Sequence, residues 1–272
     1  MKKIILLPLL VIFMTTLVTC NTYEQSQLEE QSTTKSTTKS TTYTLLSTRF
    51  IKGLRAKENV QPIIDSLANV DEDVLAAELT NDNRRKAFWM NVYNGYIQIL
   101  LQDNPELYED RGAFFKTKRM TVAGKKLSFD DIEHGIIRRS KIKLSLGLLS
   151  KWNVSDYEKQ FRCDETDERV HLALNCGAKS CPAVVAYDAE RIDVQMDKST
   201  KNHLKVTSKY DEATNTVYIT SLFSWFRGDF GNKRKVRKFL KKYEVLPEAA
   251  KKTKLSYNTY DWTLYLDNYI DL

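Results

Sequence analysis

The run Ala87-Phe88-Trp89-Met90-Asn91-Val92-Tyr93-Asn94-Gly95-Tyr96 constrains the fold more than any other stretch of the chain. It is apolar on nearly every side of a helix, so a helix built from it has no solvent face and belongs inside the molecule. The helical pattern covers 83–102, with Asp82 or Asn83 as cap and Pro105 beyond the end. Its few polar positions are equally restrictive. Ala87, Asn91, Asn94 and Gln98 step by three or four residues and share one face. A buried amide left unpaired costs about 1–3 kcal/mol. Asn91 and Asn94 therefore either bond to backbone and fix neighbouring loops, or one of them donates to a substrate or a developing oxyanion.

Around this helix the pattern places shorter helices at 46–54, 61–69 and 72–79, and a small hairpin at 121–127 turning on Ala123-Gly124. Ser128 opens a helix reaching Arg138, with Asp131 completing a capping box. The run 169–175 alternates as a buried strand, 188–204 returns to helical spacing, and 205–210 with 216–222 reads as a second hairpin. A last helix, 232–243, carries Val236, Phe239, Leu240 and Tyr243 on one stripe. Helices dominate the first half and strands enter late. The expected class is α+β, a single globular domain over 43–272 with a small, mostly antiparallel sheet in its second half. With 42% apolar and 28% charged residues, the composition excludes a collagen-like fibre, a polytopic membrane protein and a wholly disordered chain.

The net charge of +7 is not spread evenly. Two of the positive charges are Lys2 and Lys3, and ten Lys+Arg against two acids fall within 232–254. The basicity thus belongs to the outer face of one helix and the segment after it. A solvated face explains it, or contact with an anionic membrane surface, better than nucleic acid does.

Lys2 and Lys3 precede an apolar run from Ile4 to Val18 that ends at Leu17-Val18-Thr19-Cys20. A run this short is an export signal more readily than a membrane span. Its ending resembles the lipobox of bacterial lipoproteins, which implies a lipidated Cys20 and stable membrane anchoring; an ordinary signal peptide is the alternative. On this reading 1–20 is the signal, and the Ser/Thr-rich 21–42 is a disordered tether. The protein is then exported and held at a bacterial membrane through Cys20.

Two clusters carry candidate chemistry. In the first, 128–138, Asp130 and His134 are i, i+4 neighbours, as are His134 and Arg138, so Asp130 can orient the imidazole. Glu133 and His134 are adjacent and point about 100° apart, so they do not pair on an α-helical face. A surface ion network is the alternative. The second, His171-Leu172-Ala173-Leu174-Asn175-Cys176-Gly177-Ala178-Lys179-Ser180-Cys181-Pro182, holds one of three His and two of four Cys. It fits a thiolate nucleophile served by His171 or His134 with Lys179 nearby, or a Cys176–Cys181 disulfide. Metal is the third option, although His-x4-Cys-x4-Cys lacks common zinc spacing and a fourth ligand. With Cys20 lipidated, three cysteines remain, so one stays unpaired; Cys163, in a polar stretch, is expected to be exposed.

Taken with Phe223-Ser224-Trp225-Phe226-Arg227-Gly228-Asp229-Phe230-Gly231 and Tyr260-Asp261-Trp262, these stretches resemble, in order over 83–262, the domain of unknown function 547 of bacterial exported and plant proteins. A single Pro182 stands where that family commonly shows two. The resemblance implies site chemistry from His, Cys, Glu and Asn but no particular activity. There is also a loose similarity to papain-like and transglutaminase-like folds, whose thiol begins the central helix, where this chain has Arg84, Arg85 and Lys86.

Three functions follow as expectations. The first is a thiol-dependent hydrolase or transferase acting on an amide or ester. In it Cys176 (or Cys181) attacks, His171 or His134 serves as base, Glu133 orients it, and Asn91 or Asn94 stabilises the oxyanion. Trp89, Tyr93, Arg138, Lys179 and Ser180 are the candidate ligand-binding residues. The second is a non-catalytic module binding a small molecule or peptide in the same cleft. The third is a metal protein, with zinc the minor possibility; no cofactor is otherwise expected.

Overall fold

The computed structural model describes residues 42–272, so the leader, Cys20 and the tether up to Thr41 lie outside the described residues. Helix α1 (Tyr43–Arg55) is capped by the Thr42 hydroxyl, and α2 (Gln61–Asn69) and α3 (Glu72–Glu78) follow, the last capped by Asp71. Helix α4 (Asp82–Asp103) is the expected central helix, buried from Lys86 through Gln98. Its cap is Asn81, one residue earlier than read from the sequence, accepting from the Arg84 N–H. Helix α1 crosses α4 where Gly95 lies against the Phe50 ring. A Cβ at that position would overlap the ring, so the contact needs glycine.

Beyond α4 a 3-10 turn (Pro105–Tyr108) leads to α5 (Arg111–Lys116) and to the hairpin of β1 (Met120–Val122) and β2 (Lys125–Leu127). The hairpin turns on Ala123 and Gly124, both at positive φ, as the tight two-residue turn requires. The capping box at Ser128 forms in both directions: the Ser128 N–H donates to Asp131 Oδ2 at 3.0 Å and the Asp131 N–H to Ser128 Oγ at 3.1 Å. The helix it opens is wider than an α-helix. Asp131–Ile137 is a π segment, with the Arg138 N–H reaching back five residues to the Glu133 carbonyl.

The second half contains α6 (Asp156–Phe161), α7 (Ile192–Thr207), α8 (Leu222–Trp225), α9 (Arg227–Phe230) and the basic α10 (Lys233–Lys242). Strands β3 (Lys209–Asp211) and β4 (Thr216–Ile219) form the second hairpin, and β5 (Lys254–Tyr257) adds parallel to β4. The class is α+β, as the order of patterns indicates. Two local expectations are corrected. The run at 169–175 is no strand: Glu168–Leu172 is a 3-10 turn opened by Asp167, and Val170 through Leu174 are all buried, so no face alternates. Cys163 is buried, not exposed. Its N–H donates to the Ile136 carbonyl, and burial pushes its thiol up to about 12.

Candidate functional site

The π segment and the 3-10 turn bring the chemistry together. At the centre is Asp229 on α9, a residue the site reading from sequence did not single out. Its Oδ2 accepts from Arg138 Nε at 2.7 Å and lies 2.7 Å from His171 Nε2. Arg138 Nη1 meets His134 Nδ1 at 2.7 Å. Since guanidinium only donates, His134 Nδ1 carries the lone pair and its proton sits on Nε2, facing Asp130 at 3.6 Å. The side chains of Arg138 and Asp229 are only 1% and 2% exposed, so this is an interior ion pair.

Phe226 covers the network. Its ring stacks on His171 with centroids 3.7 Å apart, and the Arg138 guanidinium lies over it at 4.6 Å. Gly147, at φ +85°, passes directly over Arg138 Nη2 and Asp229 Oδ1, and Gly228 lies against the Gly147 backbone. Both close approaches exclude a side chain.

Glu133 stands at the rim of this network with 16% of its side chain exposed. The tyrosine hydroxyl of Tyr93 donates to its Oε2 at 3.2 Å, while Oε1 lies 3.6 Å from His134 Nδ1, beyond hydrogen-bond length. The pairing of Glu133 with its neighbour His134, excluded for an α-helix, is brought within ion-pair distance by the π geometry. Burial pushes the Glu133 carboxyl up, but it is held below its ordinary value by His134 and His171 when these are protonated and by the permanent charges of Arg138 and Lys143. Burial also dominates both imidazoles, lowering His171 against the opposing effect of its hydrogen bond to Asp229, and lowering His134 against Glu133. Both histidines are therefore neutral at pH 7, with the His171 proton on the nitrogen facing Asp229.

The cysteines meet this region through Tyr260. Cys176 and Cys181 are joined in a disulfide, and the Tyr260 hydroxyl lies 3.5 Å from the first sulfur and 3.2 Å from the second. Glu133 is close enough to Tyr260 to raise its phenol, after the larger effect of burial. Half-buried Trp225 and Trp262 stack on each other and pack against Tyr260.

Several expected site residues do other work. Asn91 is committed to Tyr187: Nδ2 donates to its carbonyl at 2.8 Å, and its N–H donates to Oδ1 at 2.9 Å. Asn94 is committed likewise to the Ala173 carbonyl and the Asn175 N–H. The Asn91 NH2 is spent on Tyr187 and the Ser47 and Thr48 hydroxyls, and both amides are fully buried with their oxygens and nitrogens tied to backbone, so the loop-fixing reading holds and the oxyanion role is corrected. Trp89 is fully buried among Phe88, Tyr157 and Phe161, so it contacts core and not ligand. Ser180 accepts from the Asp261 N–H and exposed Lys179 pairs with Asp261 at 3.7 Å, fastening the C-terminal strap. The attack by Cys176 or Cys181 is corrected for this oxidised form, because a sulfur bonded to sulfur has no thiolate. The same bond removes both sulfurs from any zinc site, and among the described residues no group of three or more His, Cys, Asp or Glu is arranged to hold a metal ion.

An α+β domain with an interior His134–Arg138–Asp229–His171 chain and a carboxylate at its rim is the class that fold and site define. Residues 77–204 match the model of the family described as Protein of unknown function, DUF547, which supports the domain resemblance read from the motifs. The motifs at 87–94, 128–134 and 171–182 fall inside that match, and those at 223–231 and 260–262 lie beyond it. No curated protein and no solved structure matches the chain.

Proposed function

We propose that the site is a binding module for a cationic group, such as the amine of a small molecule or a peptide, with Glu133 as counter-ion. The observation that carries this reading is the state of Glu133: ionised at the rim of a buried network, one oxygen held by Tyr93 and the other without a hydrogen bond. Tyr260 is close enough to feel the Glu133 charge and packs with Trp225 and Trp262, an aromatic surface that suits an alkylammonium. The interior chain of His and Arg then fixes the π segment from behind and leaves the carboxylate for the ligand. The melting temperature, read against aliphatic amines and dipeptides with free N-termini, tests this. Binding raises it in the native protein and not in Glu133→Gln. No shift with any of these probes removes the reading.

A second reading is favoured by one contact, the His171–Asp229 pair, which orients an imidazole as hydrolases with a thiol nucleophile require. It needs Cys176 reduced. Iodoacetamide mapping after mild reduction, with p-nitrophenyl acetate turnover, decides it: labelled Cys176 without turnover sinks it.

The leader also belongs to this proposal. The apolar run that stops at Cys20 supports export and lipid anchoring at a bacterial membrane. Metabolic labelling with a radioactive fatty acid that persists in Cys20→Ser would sink that part.

A further inference from the structure

Between the π segment and α6 the chain forms a loop closed at its neck. The Ile142 N–H donates to the Leu149 carbonyl, the Lys151 N–H to the Ser140 carbonyl, and Lys141 bridges Ser150. Its middle is fixed to the site: the Gly228 N–H donates to the Leu146 carbonyl, and Gly147 covers the Arg138–Asp229 pair. Its outer side carries Leu144 and Trp152, each 92% exposed, with Leu148 and Leu149 above 60%. So much apolar surface on one short loop calls for a partner.

We propose that this loop seats the domain on an anionic bilayer, with Leu144, Leu148, Leu149 and Trp152 entering the interface. The charge around the patch selects that occupant. From His134 to Ser155 the chain has no acidic residue, and Arg139, Lys141, Lys143 and Lys151 flank the apolar positions in sequence, Lys143 being paired with Asp130 and Lys151 with Glu158. Interface cores between proteins are depleted in lysine, whereas leucine and tryptophan within a lysine collar match the acyl boundary and the anionic headgroups. Where the anchor proposed at Cys20 is present, 21 residues separate it from Thr42, a reach of at most about 75 Å, which leaves the domain free to bring the loop to the bilayer. Lys143 pairs with Asp130, one turn from Glu133, so a seated loop would hold the proposed ligand site beside the membrane.

The test places an environment-sensitive nitrobenzoxadiazole label at Leu144→Cys in the full chain carrying Cys20→Ser. Cys163 is buried and Cys176 and Cys181 are bonded, so the label goes to one position. Cys20→Ser removes the lipid but keeps the apolar run 4–18, so attachment through the leader is common to both labelled positions and the comparison of 144 with 73 reads the loop alone. In vesicles containing phosphatidylglycerol and a nitroxide lipid, the label at 144 is expected to shift to the blue. It should also be quenched several-fold more than the same label at exposed Asp73 on α3. Leu148→Ser with Trp152→Ser should remove most of that quenching while leaving the melting temperature unchanged, because both side chains are exposed. Absence of quenching at 144 overturns the proposal. So does a blue shift without vesicles that disappears in the double variant, since the patch would then face protein.

Discussion

Asn91 spends both ends of its amide on one residue, pairing with the N–H and the carbonyl of Tyr187 as a strand neighbour would. Truncation to Ala orphans the buried Tyr187 N–H, while the Tyr187 carbonyl keeps the Thr48 hydroxyl at 2.7 Å. Asn91→Ala should therefore lower stability by roughly 1–3 kcal/mol in urea titrations, and no measurable loss would mean that the Tyr187 N–H finds another partner. Asp229 is a sharper case. Its replacement by Asn leaves the Arg138 charge buried without its counter-ion, a loss of about 3–5 kcal/mol. Retained stability in Asp229→Asn would show that Arg138 reaches solvent or a second carboxylate. The sequence discloses these two residues unequally. Asn91 advertises itself as an amide on an all-apolar helix, although its partner, 96 positions away, is invisible. Asp229 stands among the aromatic residues of its motif, and its link to His171 spans 58 positions. A local pattern says nothing about such a pairing.

At the scale of elements, what is legible is what local chemistry determines. The cap at Ser128 and the Ala123-Gly124 turn each depend on residues within four positions of one another, and both are found as read. Errors arise where the deciding partner is distant or the periodicity is ambiguous. The run at 169–175 looked like a strand because a short buried segment reads alike as strand or helical turn. Strand β5 went unread because its ladder with β4 is parallel and non-local. The π widening of 131–137 was hidden too, and with it the approach of Glu133 to His134. The α1–α4 crossing gives a direct test. A methyl at Gly95 collides with the Phe50 ring, and overpacking of this kind costs about 1–3 kcal/mol. The better helix propensity of Ala returns about 1 kcal/mol, so the steric cost is expected to win. Gly95→Ala should be destabilising alone and less so when combined with Phe50→Leu. A double-mutant cycle showing no coupling would contradict the tight crossing.

For the whole molecule, the three histidines give the pH response its sign. His134, His171 and His203 are all buried, and burial is the largest influence on each, lowering it from its ordinary value. For His203 the depression reaches about 4, with no other group acting on it. A base whose folded pKa is depressed is stabilising in its neutral form. Its contribution is complete above the unfolded value of about 6.5 and is lost as pH falls toward the folded value, because the unfolded chain takes up the proton first. For His203 alone the loss between those limits is roughly 3 kcal/mol, at about 1.4 kcal/mol per unit. The depressed carboxyls Glu133 and Asp229 act in the same direction only below about 4, where their unfolded forms protonate. Two windows therefore follow, a histidine window from about 6.5 to 4 and a carboxylate window beneath it. Urea midpoints at pH 7 and pH 5 should differ clearly at constant m-value. His203→Leu, which cannot protonate, should reduce that difference without abolishing it, since His134 and His171 remain. Equal midpoints at the two pH values would mean that these imidazoles take up protons in the folded state and find water or counter-ions there.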